Sequence, residues 1–238
     1  MTKLSVNINK IATLRNARGG DVPNVLQFAE DCVRFGADGI TVHPRPDERH
    51  ITFQDALRLR HVVSVEYNIE GYPDARFFEI LAQAKPDQAT LVPDGPHVLT
   101  SSEGWDIEAH FSMLSDVVAR IKSLGIRAAI FVAAEAHHID WAAKVGADRI
   151  ELYTGPYANH YPKHPEKAIE KYCQAAGKAE ALGLGINAGH DLSLDNLRYF
   201  KANVPVLHEV SIGHALISDA LYYGIENSIA MYKRCLVD

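Results

Sequence analysis

The chain has 238 residues, 47% of them hydrophobic and 23% charged, and a formal net charge of −6; this is the composition of an ordinary globule with ample material for a core. The acidic balance argues against a general nucleic-acid binder, which would be basic, but not against a small anionic ligand held by a few local arginines. Three scattered cysteines (Cys32, Cys173, Cys235) form no CxxC pair, and no stretch reaches the roughly 18 to 20 apolar residues of a membrane span, so the expectation is a cytoplasmic protein with reduced thiols and no signal peptide.

Taken in order, strand-like and helix-like runs alternate. Residues 4–8 read as a first short strand, followed by a polar turn over 15–21. Pro23 opens a helical pattern with Val25, Phe28, Ala29, Cys32 and Val33 on one face. Gly36 stops it and residues 40–42 form a β-branched strand that breaks at Pro44 and Pro46. Thr52 is placed to cap a helix over 52–62. A strand at 65–69, a helix at 74–84 and a strand at 88–92 follow. Residues 94–106 read as a loop, 107–124 as a helix, 128–132 as a strand and 135–145 as a helix. The sixth strand, 149–153, leads into a long aromatic and His-rich loop over 154–163. A helix at 166–182, a strand at 185–188, a helix at 194–202, a strand at 207–212 and a last helix from about 215 to 236 complete the chain.

Eight strand-then-helix units with short connections imply parallel strands joined by right-handed crossovers. In this length they predict an α/β chain forming a closed (β/α)₈ TIM barrel with extra helices, a single domain over 1–238. A Gly-x-Gly-x-x-Gly fingerprint is absent, which weakens a dinucleotide-binding reading.

Active residues of such a barrel belong at the C-terminal strand ends. There the sequence places Asn7 and Asn9, His43 and Arg45, Glu70, Pro93 with Thr100 beyond it, Glu151, His190, and Gly213 with His214. The strand starts read as Gly, Ala and short connectors. Glu70 and Glu151 each follow an isoleucine, where desolvation would raise a carboxyl toward the range useful for proton transfer; the alternative is a hydrogen-bonded or arginine-paired structural glutamate. His43 and His190 are candidate acids or bases near neutral pH, and Asp191 or a neighbour is placed to orient the His190 imidazole. Gly213 and His214 precede the last helix, whose N–H groups suit a phosphate, and Arg18 offers a forked clamp. His61, His110, His137 and His138 read as surface or core. No metal site is expected, since there is no HExxH and no H-x-H on the first strand.

Several blocks then stand out together: NINKIATLRNARG (7–19), GADGITVH (36–43), RHIT (49–52), NAGHDL (187–192) and IGHA (212–215). Through them the chain resembles, over nearly its whole length, the pyridoxine 5′-phosphate synthase family of deoxyxylulose-dependent vitamin B6 synthesis. The resemblance implies a (β/α)₈ barrel with extra helices, assembled as a homo-octamer (a tetramer of dimers). It implies ring closure between two small phosphorylated substrates, 1-deoxy-D-xylulose 5-phosphate and 3-amino-2-oxopropyl phosphate, without a metal or organic cofactor. Carried over, His43 and Glu70 match the proton acceptors, His190 the proton donor and Glu151 the carboxylate that stabilises the transition state. Arg45, His50 and Thr100 match residues that hold the deoxyxylulose phosphate; Asn7, Arg18, Gly213 and His214 match those that hold the amino-ketone phosphate. Asp191 joins the binding set. The chain departs from the family's Asn-Ile-Asp-His pattern at Asn9 and Lys10, an amide and an ammonium that still offer hydrogen bonds to a phosphate or hydroxyl. The rival readings are another phosphosugar barrel, an aldolase or isomerase, and a non-catalytic phosphate-ligand binder.

Overall fold

Each predicted strand becomes a strand of one closed sheet in the computed structural model, which describes residues 1–93 and 103–237. The strands are β1 (Lys3–Asn7), β2 (Gly39–Val42), β3 (Glu66–Gly71), β4 (Gln88–Leu91), β5 (Arg127–Val132), β6 (Arg149–Leu152), β7 (Gly185–Gly189) and β8 (Leu207–Ile212). Every neighbouring pair is parallel, and β8 closes on β1. All eight C-terminal ends therefore open on one rim.

The helices wrap this barrel: α1 (Asn9–Arg18), α2 (Val25–Arg34), α3 (Phe53–Leu59), α4 (Ala75–Ala84), α5 (Phe111–Ser123), α6 (Ala136–Lys144), α7 (Gly155–His160), α8 (Pro165–Ala181), α9 (Leu197–Asn203), α10 (His214–Tyr223) and α11 (Ile225–Cys235). Side chains alternate across a strand, and here the outward set is the apolar one. Leu4, Val6, Ile40, Ile69, Leu91, Ile130, Ile150 and Ile212 are all buried in one cluster shared with the helices. Thr52 caps α3 through a capping box with Asp55, as its position predicts.

The inward set is polar, which the usual filling of such barrels by branched apolar side chains does not anticipate. Ser5 and Thr41 hydroxyls lie 2.7 Å apart, Asn68 donates to Thr41 at 3.4 Å, and Thr90 donates to Asn68 at 3.0 Å. Nearer the strand starts, Arg127 bonds Gln88 at 2.9 Å and pairs with Glu66, while Arg149 bonds Asn187 at 3.0 Å. β2 and β7 begin on the expected glycines, Gly39 and Gly185, but β1, β3, β4, β5 and β6 begin on Lys3, Glu66, Gln88, Arg127 and Arg149 rather than small residues.

Three further expectations are corrected. The polar turn over 15–21 gives way through Arg18 to the end of α1, which Arg15 ties down with two 2.7 Å bonds to buried Asp55. The loop over 154–163 contains α7, held by the Tyr157 hydroxyl donating to the Asn196 carbonyl at 2.8 Å. The single last helix is two, broken at Gly224 (φ 77°, ψ 151°), a conformation open essentially to glycine alone. All three cysteines are free, and among the described residues no helix is long and apolar enough to cross a membrane.

Candidate active site

The rim assembles most of the predicted residues. On β1, the Asn7 amide oxygen accepts from the Asn9 N–H at 3.1 Å, and the Asn9 amide oxygen accepts from the His43 N–H at 2.9 Å. These two bonds tie the start of α1 to the end of β2. The His43 ring then stands with Nδ1 3.8 Å from the Glu70 carboxylate at the end of β3. Burial, together with the charges of Arg45, His50 and Arg49, drives the proton affinity of His43 well below the ordinary imidazole range. The ring is therefore neutral at pH 7 and able to accept a proton.

His50 lies beside it, ring centroids 6.3 Å apart. Burial first, then the positive charges of Arg45, Lys10 and Arg49, lower its pKa to about 4. Its Nδ1 accepts from the Ile51 N–H at 2.9 Å, leaving Nε2 for a ligand. Arg45 is itself buried. Arg45, Lys10 and Arg49, the last also paired with Asp47 at 2.6 Å, thus set positive charge around the neutral His50 ring, and such a cluster attracts an anionic group such as a phosphate. Lys10 is exposed at the edge of this group.

Across the mouth, Glu151 is buried on β6 with one carboxyl oxygen lacking a hydrogen-bond partner among the described residues. Its pKa is pushed up to about 8, first by burial and then by Glu70, with His190 pulling the other way. Glu70 and His190 thus both act on Glu151. Glycine at 189 lets β7 press against β8 beside this carboxyl, since a Cβ there would stand 2.4 Å from the Ser211 carbonyl oxygen and 3.0 Å from a Glu151 carboxyl oxygen.

His190 follows β7 in the left-handed region at φ 61°, a conformation that costs a non-glycine residue about 1–3 kcal/mol and needs outside support. Its N–H donates to the Ser211 carbonyl at 3.3 Å, and its Nδ1 lies 2.7 Å from the Asp191 carboxylate. With Asp191 accepting from Nδ1, the proton is held on that nitrogen and the ring orientation is fixed. Sequence reasoning missed Thr154, which is fully buried at the end of β6. Its hydroxyl donates to the Gly189 carbonyl and accepts from the Asp191 N–H at 3.2 Å, so it braces the turn that carries His190. A threonine just past a strand end beside Gly155-Pro156 was the available signal.

Gly213 caps α10 with its backbone directly against Asn7, and His214 is exposed at the first position of that helix. Arg18 is exposed in the last turn of α1 and is not drawn into this cluster. Thr100 lies outside the described residues. The remaining residues supply a neutral base (His43), a protonated acid (Glu151), an oriented imidazole (His190) and a cationic pocket (Arg45, Lys10 and Arg49 around His50) on one rim. That set suits repeated proton transfers on a phosphorylated ligand.

Comparison with known proteins agrees with this chemistry. The chain is 60% identical to the pyridoxine 5′-phosphate synthase of Bacteroides thetaiotaomicron over 236 residues, covering 99% of this chain and all of the relative. It is 57% identical to the protein of the same name from Cytophaga hutchinsonii, covering 98% of each. Among solved structures, phosphoribosyl anthranilate isomerase from Thermotoga maritima superposes with a TM-score of 0.61 at 13% identity, covering 99% of this chain and 98% of that one; at that identity the likeness speaks for the barrel alone. Residues 4–238 match the family described as pyridoxal phosphate biosynthesis protein PdxJ, and the chain belongs to that family.

Proposed function

We propose that this chain is a pyridoxine 5′-phosphate synthase, which condenses 1-deoxy-D-xylulose 5-phosphate with 3-amino-2-oxopropyl phosphate and releases inorganic phosphate and water. The observation that carries the reading is the gathering of proton-transfer groups at a single mouth, with the His43 Nδ1 3.8 Å from the Glu70 carboxylate and Glu70 and His190 both acting on buried Glu151. Joining an amine to a ketone and then eliminating water and phosphate requires several proton transfers in both directions, with donors and acceptors within reach of one small molecule.

In this reading neutral His43 and Glu70 accept protons, their 3.8 Å separation letting a proton taken by one be shared with the other. His190, oriented by Asp191, donates to a departing oxygen. Glu151 enters the cycle protonated; the cationic nitrogen of a condensing amine favours its ionised form, so the carboxylate appears where positive charge develops. Arg45, His50 and Lys10 hold the deoxyxylulose phosphate. Asn7, Gly213, His214 and Arg18 hold the amino-ketone phosphate, for which Arg18 must swing inward from its exposed position. Asn9 positions His43 through its backbone bond, and this places an amide, rather than the acid of the family's pattern, under the base.

The exposed Leu221, Tyr222 and Tyr223 of α10 support self-association, proposed as a homo-octamer built from dimers in the cytoplasm; sedimentation of the purified chain checks it. The activity is tested by incubating the protein with both phosphorylated substrates and following pyridoxine phosphate and inorganic phosphate. Product that needs both substrates is the expected result, and absence of product overturns the reading. An adduct trapped on lysine by borohydride would instead favour an aldolase.

A further inference from the structure

We propose that Glu135, His137 and His138, at the turn from β5 into α6, form a binding site for a first-row divalent transition cation such as zinc. Each offers one donor atom, and the three donors lie within 4.8 Å of one another. Donors on a tetrahedral zinc ion at about 2.0–2.2 Å stand about 3.3–3.6 Å apart, so rotamer changes that draw the donors about 1 Å closer suffice to close on an ion. The set is already partly gathered: the His137 Nδ1 is 3.8 Å from a Glu135 carboxylate oxygen, and the two imidazole centroids are 3.9 Å apart.

A second observation points to a missing partner. The His138 Nδ1 is shielded from solvent and has no hydrogen-bond partner among the described residues. Buried nitrogens of this kind are normally satisfied, and an ion is one of the few things that satisfies them. Negative charge is to hand in Glu135 and in Asp106, which acts on His138 from the segment after β4.

The backbone beneath is rigid. The Glu135 N–H bonds the Ala133 carbonyl at 2.8 Å, the His138 N–H bonds the Glu135 carbonyl at 3.1 Å, and Ile139 beside them is fully buried. The segment bearing Asp106 is fixed to the same strand end, since the Trp105 N–H donates to the Phe131 carbonyl at 2.9 Å and Gly104 lies against Val132 and Ala133. Two imidazoles and a carboxylate select zinc, nickel, cobalt or copper over magnesium and calcium, which take oxygen donors. None of these side chains belongs to the catalytic set, so the site stands or falls apart from the proposed reaction.

The test strips the full chain with a chelator and titrates it with zinc in competition with a chromophoric indicator, and in parallel with cobalt, whose visible absorption reports nitrogen ligation. We expect wild-type protein to take up zinc and His61→Ala, which alters an exposed histidine elsewhere, to match it. His137→Ala, His138→Ala and Glu135→Gln should each weaken zinc binding by more than about tenfold, the range in which lost metal contacts are felt, with unchanged circular dichroism. Equal zinc affinity in wild type and all three variants would overturn the site. So would failure of wild-type protein to compete with the indicator for zinc.

Discussion

At the scale of single residues, His190 and Glu151 carry the sharpest expectations. His190→Asn keeps a side chain able to bond Asp191 but removes the group that donates, so turnover should fall by about 10² to 10⁴-fold with substrate binding largely retained; near-normal turnover would remove His190 from the catalytic set. Glu151 gives a stability test that needs no substrate. In the fold it keeps its proton up to about pH 8, whereas an unperturbed glutamate releases it near 4.5. Between those values the folded state binds more protons than the unfolded one, so stability falls as pH rises. Glu151→Gln abolishes that contribution. Its Tm should decline less steeply than that of wild type between pH 5 and pH 8, and parallel curves would show that Glu151 is not buried as described. Glu151 was legible because a carboxylate after an isoleucine at a strand end is a recognisable pattern. Thr154 was less so, since a buried threonine that braces a turn looks like any loop residue until its two partners are seen.

At the scale of elements, the strands were legible and some helices were not, for a common physical reason. Apolar periodicity betrays a helix that buries an oily stripe, as α2 does through Val25, Ala29 and Cys32. α1 buries only Ile11, Ala12 and Arg15 and is held by charge instead, so its end read as a turn. Arg15 spans to Asp55 on α3 with two bonds, and Asn16 reaches the His50 carbonyl at 2.8 Å; such long-range polar ties leave no periodic trace. This makes Arg15 a joint between α1 and the loop that bears Arg45 and His50. Removing one partner of a buried pair typically costs about 3–5 kcal/mol, and Arg15→Ala should show a loss of that size in urea unfolding, together with a raised KM for the sugar phosphate. A loss below about 1 kcal/mol, the value of an exposed pair, would mean the pair is solvated. The break at Gly224 was hidden for a different reason: glycine inside a helical pattern is tolerated often enough that only its observed backbone angles reveal the turn.

At the scale of the whole molecule, the barrel works as a polar interior wrapped in an apolar shell, and this was the least legible feature. Ser5, Thr41, Asn68 and Asn187 sit within strand runs, and the sequence does not say which face of a strand closes inward. The consequence is that the mouth is not electrically isolated from what lies inside. The registers pair Glu151 with Asn187 and Asn187 with Glu209 across β6, β7 and β8, and the Asn187 amide donates to Glu209 at 3.4 Å. Glu209 is buried, one of its oxygens and the Ser211 hydroxyl have no partner among the described residues, and its pKa is raised to about 8 by burial first, then by Glu66, with Glu151 among the lesser causes. Two buried carboxyls that repel one another titrate as a pair, not as independent sites. Glu209→Gln preserves the volume and the bond to Asn187 while deleting the second charge, so Glu151 should then ionise at lower pH. We expect the inflection assigned to Glu151 in the pH dependence of kcat/KM to move to lower pH in Glu209→Gln, with KM at the optimum little changed because Glu209 touches no substrate. A purely structural glutamate would lower stability and leave that inflection where it was, so an unmoved inflection in a folded Glu209→Gln protein would show that the interior and the mouth are uncoupled.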